Sequence, residues 1–129
     1  MIQARIGPDS YKTSYTNERG QGTADLPVAK GGAGSGFGPH ELVESALATC
    51  IVMTARMIAV EKDWKLDQAE CDVRLERHAA DQITLHYDLR LTGPTEEQIR
   101  MIERLVDNCP VAKTLRGTIS IQAVPNELC

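Results

Sequence analysis

Four cysteines, Cys50, Cys71, Cys109 and Cys129, are the residues of this 129-residue chain best suited to covalent chemistry. A thiol attacks as its thiolate, and a free cysteine with a pKa of about 8.5 is mostly protonated at neutral pH. Each position is therefore weighed by whether its surroundings favour the anion. Cys71 alternates with Val73 and Leu75 toward a core, the place of a structural thiol. Cys129 is an exposed bystander beside its own terminal carboxylate, which disfavours a second negative charge. Cys109 precedes Pro110 and so falls at the N-cap of a predicted helical turn. Free N–H groups and the helix dipole there favour a negative sulfur and make it the more acidic thiol; a small residue tolerated at a helix start is the alternative.

Cys50 lies in SALATCIVMTA, Ser45 to Ala55, a run without a charge. On a helix its own face carries Val43, Ala46, Leu47, Met53, Thr54 and Met57, so burial should hold the thiol neutral and inert. It becomes a reagent if a cation supports the thiolate from elsewhere in the fold. Arg56 points about 120° away around the helix. No CxxC or CxxH spacing supports a zinc site, and no bound cofactor or metal is called for.

The elements that must position these thiols follow from periodicity. Ile2–Ile6 and Tyr11–Tyr15 alternate around Gly7-Pro8-Asp9 as a hairpin, with a third short strand near Gln21–Leu26. KGGAGSGFGP, Lys30 to Pro39, is a loop; it lacks GxxxxGK[ST] and no strongly apolar strand precedes it, which argues against phosphate binding. Pro39 suits a first helical turn and Glu41 its dipole, so a long helix runs to about Asp63. That helix is apolar on every side and must be buried on every side. One sheet covers one face, and a second subunit supplies the remainder.

After Asp63-Trp64-Lys65, with Trp64 anchoring the turn, the period changes to two. Ala69 to Leu75 and Ile83 to Leu91 read as half-buried antiparallel strands joined at Ala79–Gln82, with His78 and His86 on solvated positions. Thr95 and Gln98 form a capping box for a helix with Ile99, Ile102, Leu105 and Val106 on one stripe. A turn at Cys109–Lys113 and a last strand with Ile119, Ile121 and Ala123 inward complete one α+β domain over residues 1–129. Its antiparallel sheet packs on a long buried central helix plus shorter helices.

Composition bounds the function. Apolar residues make up 42% and charged residues 25%, ordinary for a globular chain, and a net charge of −4 gives no general attraction to nucleic acid or to a membrane surface. The first fifteen residues lack the layout of a secretory signal and no uncharged run approaches the roughly 20 residues of a membrane helix. A cytoplasmic protein with reduced thiols is expected.

The stretch GFGPHELVESALATCIVMTARMIAVEKDW, followed downstream by NCPVAKTLRG, resembles the family of osmotically inducible protein C and the organic hydroperoxide resistance proteins. The resemblance spans nearly the whole chain from about Arg19, including RGQGTAD. It implies an intertwined homodimer with active sites at the subunit boundary. It also implies a thiol-dependent peroxidase for organic hydroperoxides, with Cys50 as the peroxidatic and Cys109 as the resolving cysteine. Arg19, six residues before Asp25, matches the arginine that assists the first thiol, and so supplies the cation that Cys50 lacks locally. The pair would form a sulfenate and then a disulfide, reset by a dithiol or lipoylated-protein reductant. Leu47, Met53 and Met57 would wall an alkyl-binding pocket. Organic hydroperoxide resistance proteins carry a glutamate directly after the helix-start proline; here His40 occupies that position and Glu41 follows. Either could orient Arg19, and a plain helix-start acid is the other role for Glu41. A non-catalytic dimer that binds an apolar ligand beside Cys50, and a redox-responsive protein whose disulfide alters its interactions, are the competing functions.

Overall fold

The computed structural model describes residues 1–125, and these divide into two compact units, Met1–Ala46 with Val73–His86 and Leu47–Asp72 with the described residues from Tyr87 onward. In chain order the elements are β1 (Gln3–Ile6), β2 (Thr13–Asn17), β3 (Gly20–Ala24), α1 (Pro39–Lys62), β4 (Gln68–Ala79), β5 (Gln82–Thr92), α2 (Glu96–Val106) and α3 (Pro110–Arg116).

In the first unit, β1, β2 and β3 form an antiparallel sheet in that order, with Ala4 opposite Tyr15 and Tyr15 opposite Gly22. The β2–β3 turn is held by Asn17, whose Oδ1 accepts the N–H groups of Arg19 at 2.8 Å and Gly20 at 3.2 Å, an Asx turn that places Arg19 at the tip. The glycine-rich loop has its own organiser in Asp25, only 4% exposed. Its carboxylate accepts the N–H groups of Leu26 (2.8 Å), Ala33 (3.2 Å) and Ser35 (3.0 Å) and the Ser35 hydroxyl (2.7 Å). The Ser35 bonds, with those from Leu26 and Ala33, hold the Asp25 carboxyl down at about 2 against the opposing effect of burial. Two glycines permit this wrap. A Cβ at Gly32 would lie 2.0 Å from the Leu26 carbonyl oxygen, and one at Gly36 2.5 Å from that of Thr23.

The loop delivers the chain into α1. Leu42 donates its N–H to the Gly38 carbonyl at 3.1 Å, while Glu41 Oε1 accepts the Gly38 N–H at 3.0 Å, the carboxylate half of a capping box. Farther along, Glu44 Oε2 accepts the Leu75 N–H at 2.8 Å.

The second unit is built on the remainder of α1. Leu47, Ile51, Ala55, Ile58 and Ala59 are buried, a stripe of three- and four-residue steps, and Leu66, Ile102, Val106, Cys109 and Ala112 complete the unit's core. The expectation of burial on every side is corrected for the single chain: Met53 is 63% and Met57 68% exposed, and Val60 is also open. The buried stripe alone has chain to cover it. Over 18 residues the mean hydropathy of α1 is 1.6, within the range of a membrane span by length and composition, and 22% of that stretch is buried. The helix ends in a Schellman arrangement in which Asp63, at φ 54°, takes the left-handed position usual for glycine. Trp64 donates its N–H to Ala59 O at 2.8 Å and Asp63 donates to Val60 O at 3.3 Å. The Trp64 ring carries the Lys62 ammonium 5.5 Å from its centroid.

β4 and β5 make a separate two-stranded sheet, so the strands do not join in the one sheet expected. Alternation is visible along β4, where Ala69, Cys71, Val73 and Leu75 are half-buried, with Glu76 after them. His78 and His86 are exposed and engaged, at 2.8 Å from Thr84 Oγ1 and 2.6 Å from Glu76 Oε2 respectively. Thr95 and Gln98 form the complete capping box of α2. The expected last strand is absent: 118–125 has no regular structure, and Ile121 is 94% exposed. A strand exists through its ladder partner, and among the described residues this segment has none.

Candidate active site

The long helix and the short one bring Cys50 and Cys109 together. Cys109 is the N-cap of α3 and is 1% exposed; Cys50, on α1, is half-buried. Both are free thiols, and their side chains lie close enough to interact. The backbone fixes the Cys109 end: its N–H donates to Val106 O at 2.9 Å, and its carbonyl accepts the Lys113 N–H at 3.0 Å, the first bond of α3. Pro110 at the first helical position locks the local φ and has no N–H to leave unpaired.

The electrostatics of Cys109 differ from the sequence expectation. Burial pushes its thiol up, the Ala112 and Val111 N–H groups pull it down, and Cys50 beside it adds to the rise. The helix start acts in the expected direction, but withdrawal from water is stronger, so Cys109 is not the acidic thiol that the N-cap position alone suggested. Nor does Cys50 sit in a sealed core. Of the residues on its helical face, Leu47 is buried, whereas Ala46, Met53 and Met57 are exposed. Arg56 is committed elsewhere, its Nη1 donating to Leu66 O at 2.8 Å.

An open groove of about 510 Å³ lies along the exposed side of α1, lined by Val52, Met53, Arg56, Met57 and Ala69. Leu47 belongs to the core and does not line it. A second cleft, of about 380 Å³, is walled by Ala48, Thr49 and Val52 of α1 and by Cys71 and Arg90 of the sheet. Cys71 is thus half-buried at a cleft wall. Burial and the adjacent Asp72 carboxylate both raise its pKa. Arg90 does not serve it as a dedicated cation, being shared by Asp88 (2.6 Å), Asp72 (3.2 Å) and Glu70 (3.5 Å). The alternating charges of β4 and β5 contained this cluster in the sequence; the cleft had no such signal.

Arg19 and Glu41 belong to the first unit. Arg19 is exposed at its turn and makes no ion pair among the described residues; Glu41 caps the start of α1, the bland role open to it, and His40 beside it is exposed. Asp25, which the sequence offered only as a spacing marker, proves to be the anchor of the loop before α1. Cys129 lies outside the described residues.

A family model for OsmC-like proteins matches residues 32–124, the stretch holding both thiols. The chain belongs to the OsmC-like protein family. Solved structures agree in fold. An OsmC-like protein from Mycoplasma pneumoniae is 27% identical, with a TM-score of 0.71 over 91% of this chain and 86% of that one. The organic hydroperoxide resistance protein of Bacillus subtilis is 21% identical, with a TM-score of 0.66 over 91% and 90%. A protein from Vibrio cholerae, crystallised with captopril in one of its active sites, is 21% identical, with a TM-score of 0.65 over 95% and 88%. No curated protein matches the sequence significantly. In this OsmC-like protein the recognisable family stretch therefore coincides with the segment that holds the thiol pair.

Proposed function

We propose that this OsmC-like protein is a thiol-dependent peroxidase for organic hydroperoxides. The observation that carries the proposal is the contact between two free thiols, Cys50 and Cys109, the latter buried. A Cys50 thiolate attacks the outer peroxide oxygen; the O–O bond breaks, the alkoxide takes a proton and leaves as alcohol, and Cys50 becomes a sulfenic acid. Cys109 attacks that sulfur. Its thiol proton and the sulfenic hydroxyl leave as water, and the Cys50–Cys109 disulfide remains. A dithiol or lipoylated-protein reductant restores both thiols by exchange, giving up two electrons to the protein disulfide and leaving as its own disulfide.

Three further roles rest on family resemblance. Arg19 favours the Cys50 thiolate, with His40 or Glu41 orienting it; Met53 and Met57, with Leu47 behind them, favour an alkyl chain over hydrogen peroxide; and the working form is a cytoplasmic homodimer. The exposed apolar side of α1 supports the homodimer, since a single chain leaves Met53, Met57 and Val60 in water. An organic hydroperoxide such as cumene hydroperoxide should oxidise Cys50 and Cys109 together in a dithiol-coupled assay, and Cys50→Ser should abolish turnover. Undiminished turnover in that variant refutes the proposal. The open apolar groove of α1 favours a second reading, a non-catalytic dimer that binds an apolar ligand. Retained ligand binding without peroxide consumption distinguishes it.

A further inference from the structure

The three residues Asp107, Asn108 and Cys109 link α2 to α3 and carry the buried thiol at their end. They are tied down from two sides. The Tyr87 hydroxyl, on β5, donates to Asp107 Oδ1 at 2.9 Å. Arg116, in the last turn of α3, reaches back with Nη2 to the same Oδ1 at 3.1 Å and with Nη1 to the Asp107 carbonyl oxygen. The guanidinium therefore closes α3 onto its own entry, and one carboxylate oxygen joins strand, linker and helix. Charge-assisted bonds of this kind add geometric specificity as well as energy. The state of the groups fits: Asp107 is held below the usual carboxylate range by Tyr87 and Arg116, and Tyr87 is pushed up to about 12 by burial and by its bond to Asp107. At neutral pH the clamp is therefore a fixed phenol–carboxylate–guanidinium set.

We propose that Tyr87, Asp107 and Arg116 are positioning residues that hold the Cys109 sulfur against Cys50 and so set the rate and equilibrium of disulfide closure. The proposal deepens the peroxidase reading and rests on it for the rate. The affected step is Cys50–SOH plus Cys109–SH giving the disulfide and water. A sulfur held in place converts this attack into one with a high effective concentration. The three residues act on the linker that carries Cys109, so the preceding oxidation of Cys50 should be independent of them.

Two readouts test the clamp in full-length protein. Equilibration with reduced and oxidised dithiothreitol gives the effective concentration of the Cys50–Cys109 pair without any peroxide. Asp107→Ala should lower it by about tenfold and Tyr87→Phe by a smaller factor, with Asp107→Asn, which keeps an acceptor for both partners, between Asp107→Ala and the parent. Rapid mixing with cumene hydroperoxide, acid quench and mass spectrometry then separate the two steps. Cys50 sulfenate should accumulate in Asp107→Ala because closure slows by a similar factor, while oxidation of Cys50 in a Cys109→Ser background is the same with or without Asp107→Ala. An unchanged dithiothreitol equilibrium in folded Asp107→Ala and Tyr87→Phe overturns the clamp. A parent protein that consumes no hydroperoxide, but whose dithiothreitol equilibrium falls in the variants, refutes the peroxidase and leaves the clamp standing.

Discussion

Joining Cys50 to Cys109 is a perturbation whose size can be worked from the fold. The two lie 59 positions apart, so their disulfide closes a long loop in the unfolded chain. In the chain-entropy treatment a loop of that length removes enough denatured-state freedom to stabilise the folded state by about 4 kcal/mol, provided the native geometry accepts the bond without strain. The structure bears on that proviso, because the folded chain already holds the two thiols in contact. For a domain of this size 1 kcal/mol moves Tm by roughly 3–5 °C, so the oxidised protein should melt roughly 12–20 °C above the reduced one. The assay is thermal and urea unfolding of both redox forms at one protein concentration, since oligomers melt in a concentration-dependent way. Cys50→Ser and Cys109→Ser should each erase the redox difference. A gain below about 1 kcal/mol, or a lower Tm on oxidation, would mean that native strain cancels the entropy term, and the two thiols would not be the preorganised pair described above.

The other predictions concern the frame of the site. Asp25 has a folded pKa of about 2 against an ordinary value of 3.8; its contribution to stability is complete above the higher value and is lost as pH falls through the lower. Asp25→Asn should therefore melt lower at neutral pH, with the gap from the parent narrowing between about pH 4 and pH 2; a gap constant across a pH series refutes it. Gly32→Ala places a Cβ 2.0 Å from a backbone carbonyl oxygen, and should destabilise by about 1–3 kcal/mol in urea melts as the loop shifts; an unaltered midpoint counts against the wrapped loop. Asp63→Gly relieves a side chain held at φ 54°, and should raise Tm by about 2–4 °C, whereas a fall would show that Asp63 contributes more than a helix stop.

Much of the frame was legible because local rules decide it. Pro39 with the acidic first turn, the Thr95–Gln98 capping box and the period-two alternation of β4 depend on residues a few positions apart, and each element forms near its expected bounds. The thiol pair was reachable by resemblance, through motifs at matching separation, but not by local electrostatics. N-cap reasoning made Cys109 acidic because the sequence counts the N–H groups at a helix start and cannot count the water excluded around it; at 1% exposure desolvation is the stronger effect.

By itself, then, the sequence determined the order of strands and helices as far as α3 and which cysteines deserve attention, since these follow from short-range pattern, and it pointed to the family by resemblance. Tertiary structure alone decided that the strands form two sheets instead of one, that 118–125 has no ladder partner among the described residues, and that α1 leaves Met53 and Met57 in the open. It also decided that Asp25 organises the glycine loop through residues up to ten positions away, and that Tyr87 meets Asp107 across twenty. These are contacts between residues far apart in the chain. Periodicity says which face of an element is apolar, and folding alone says what that face meets.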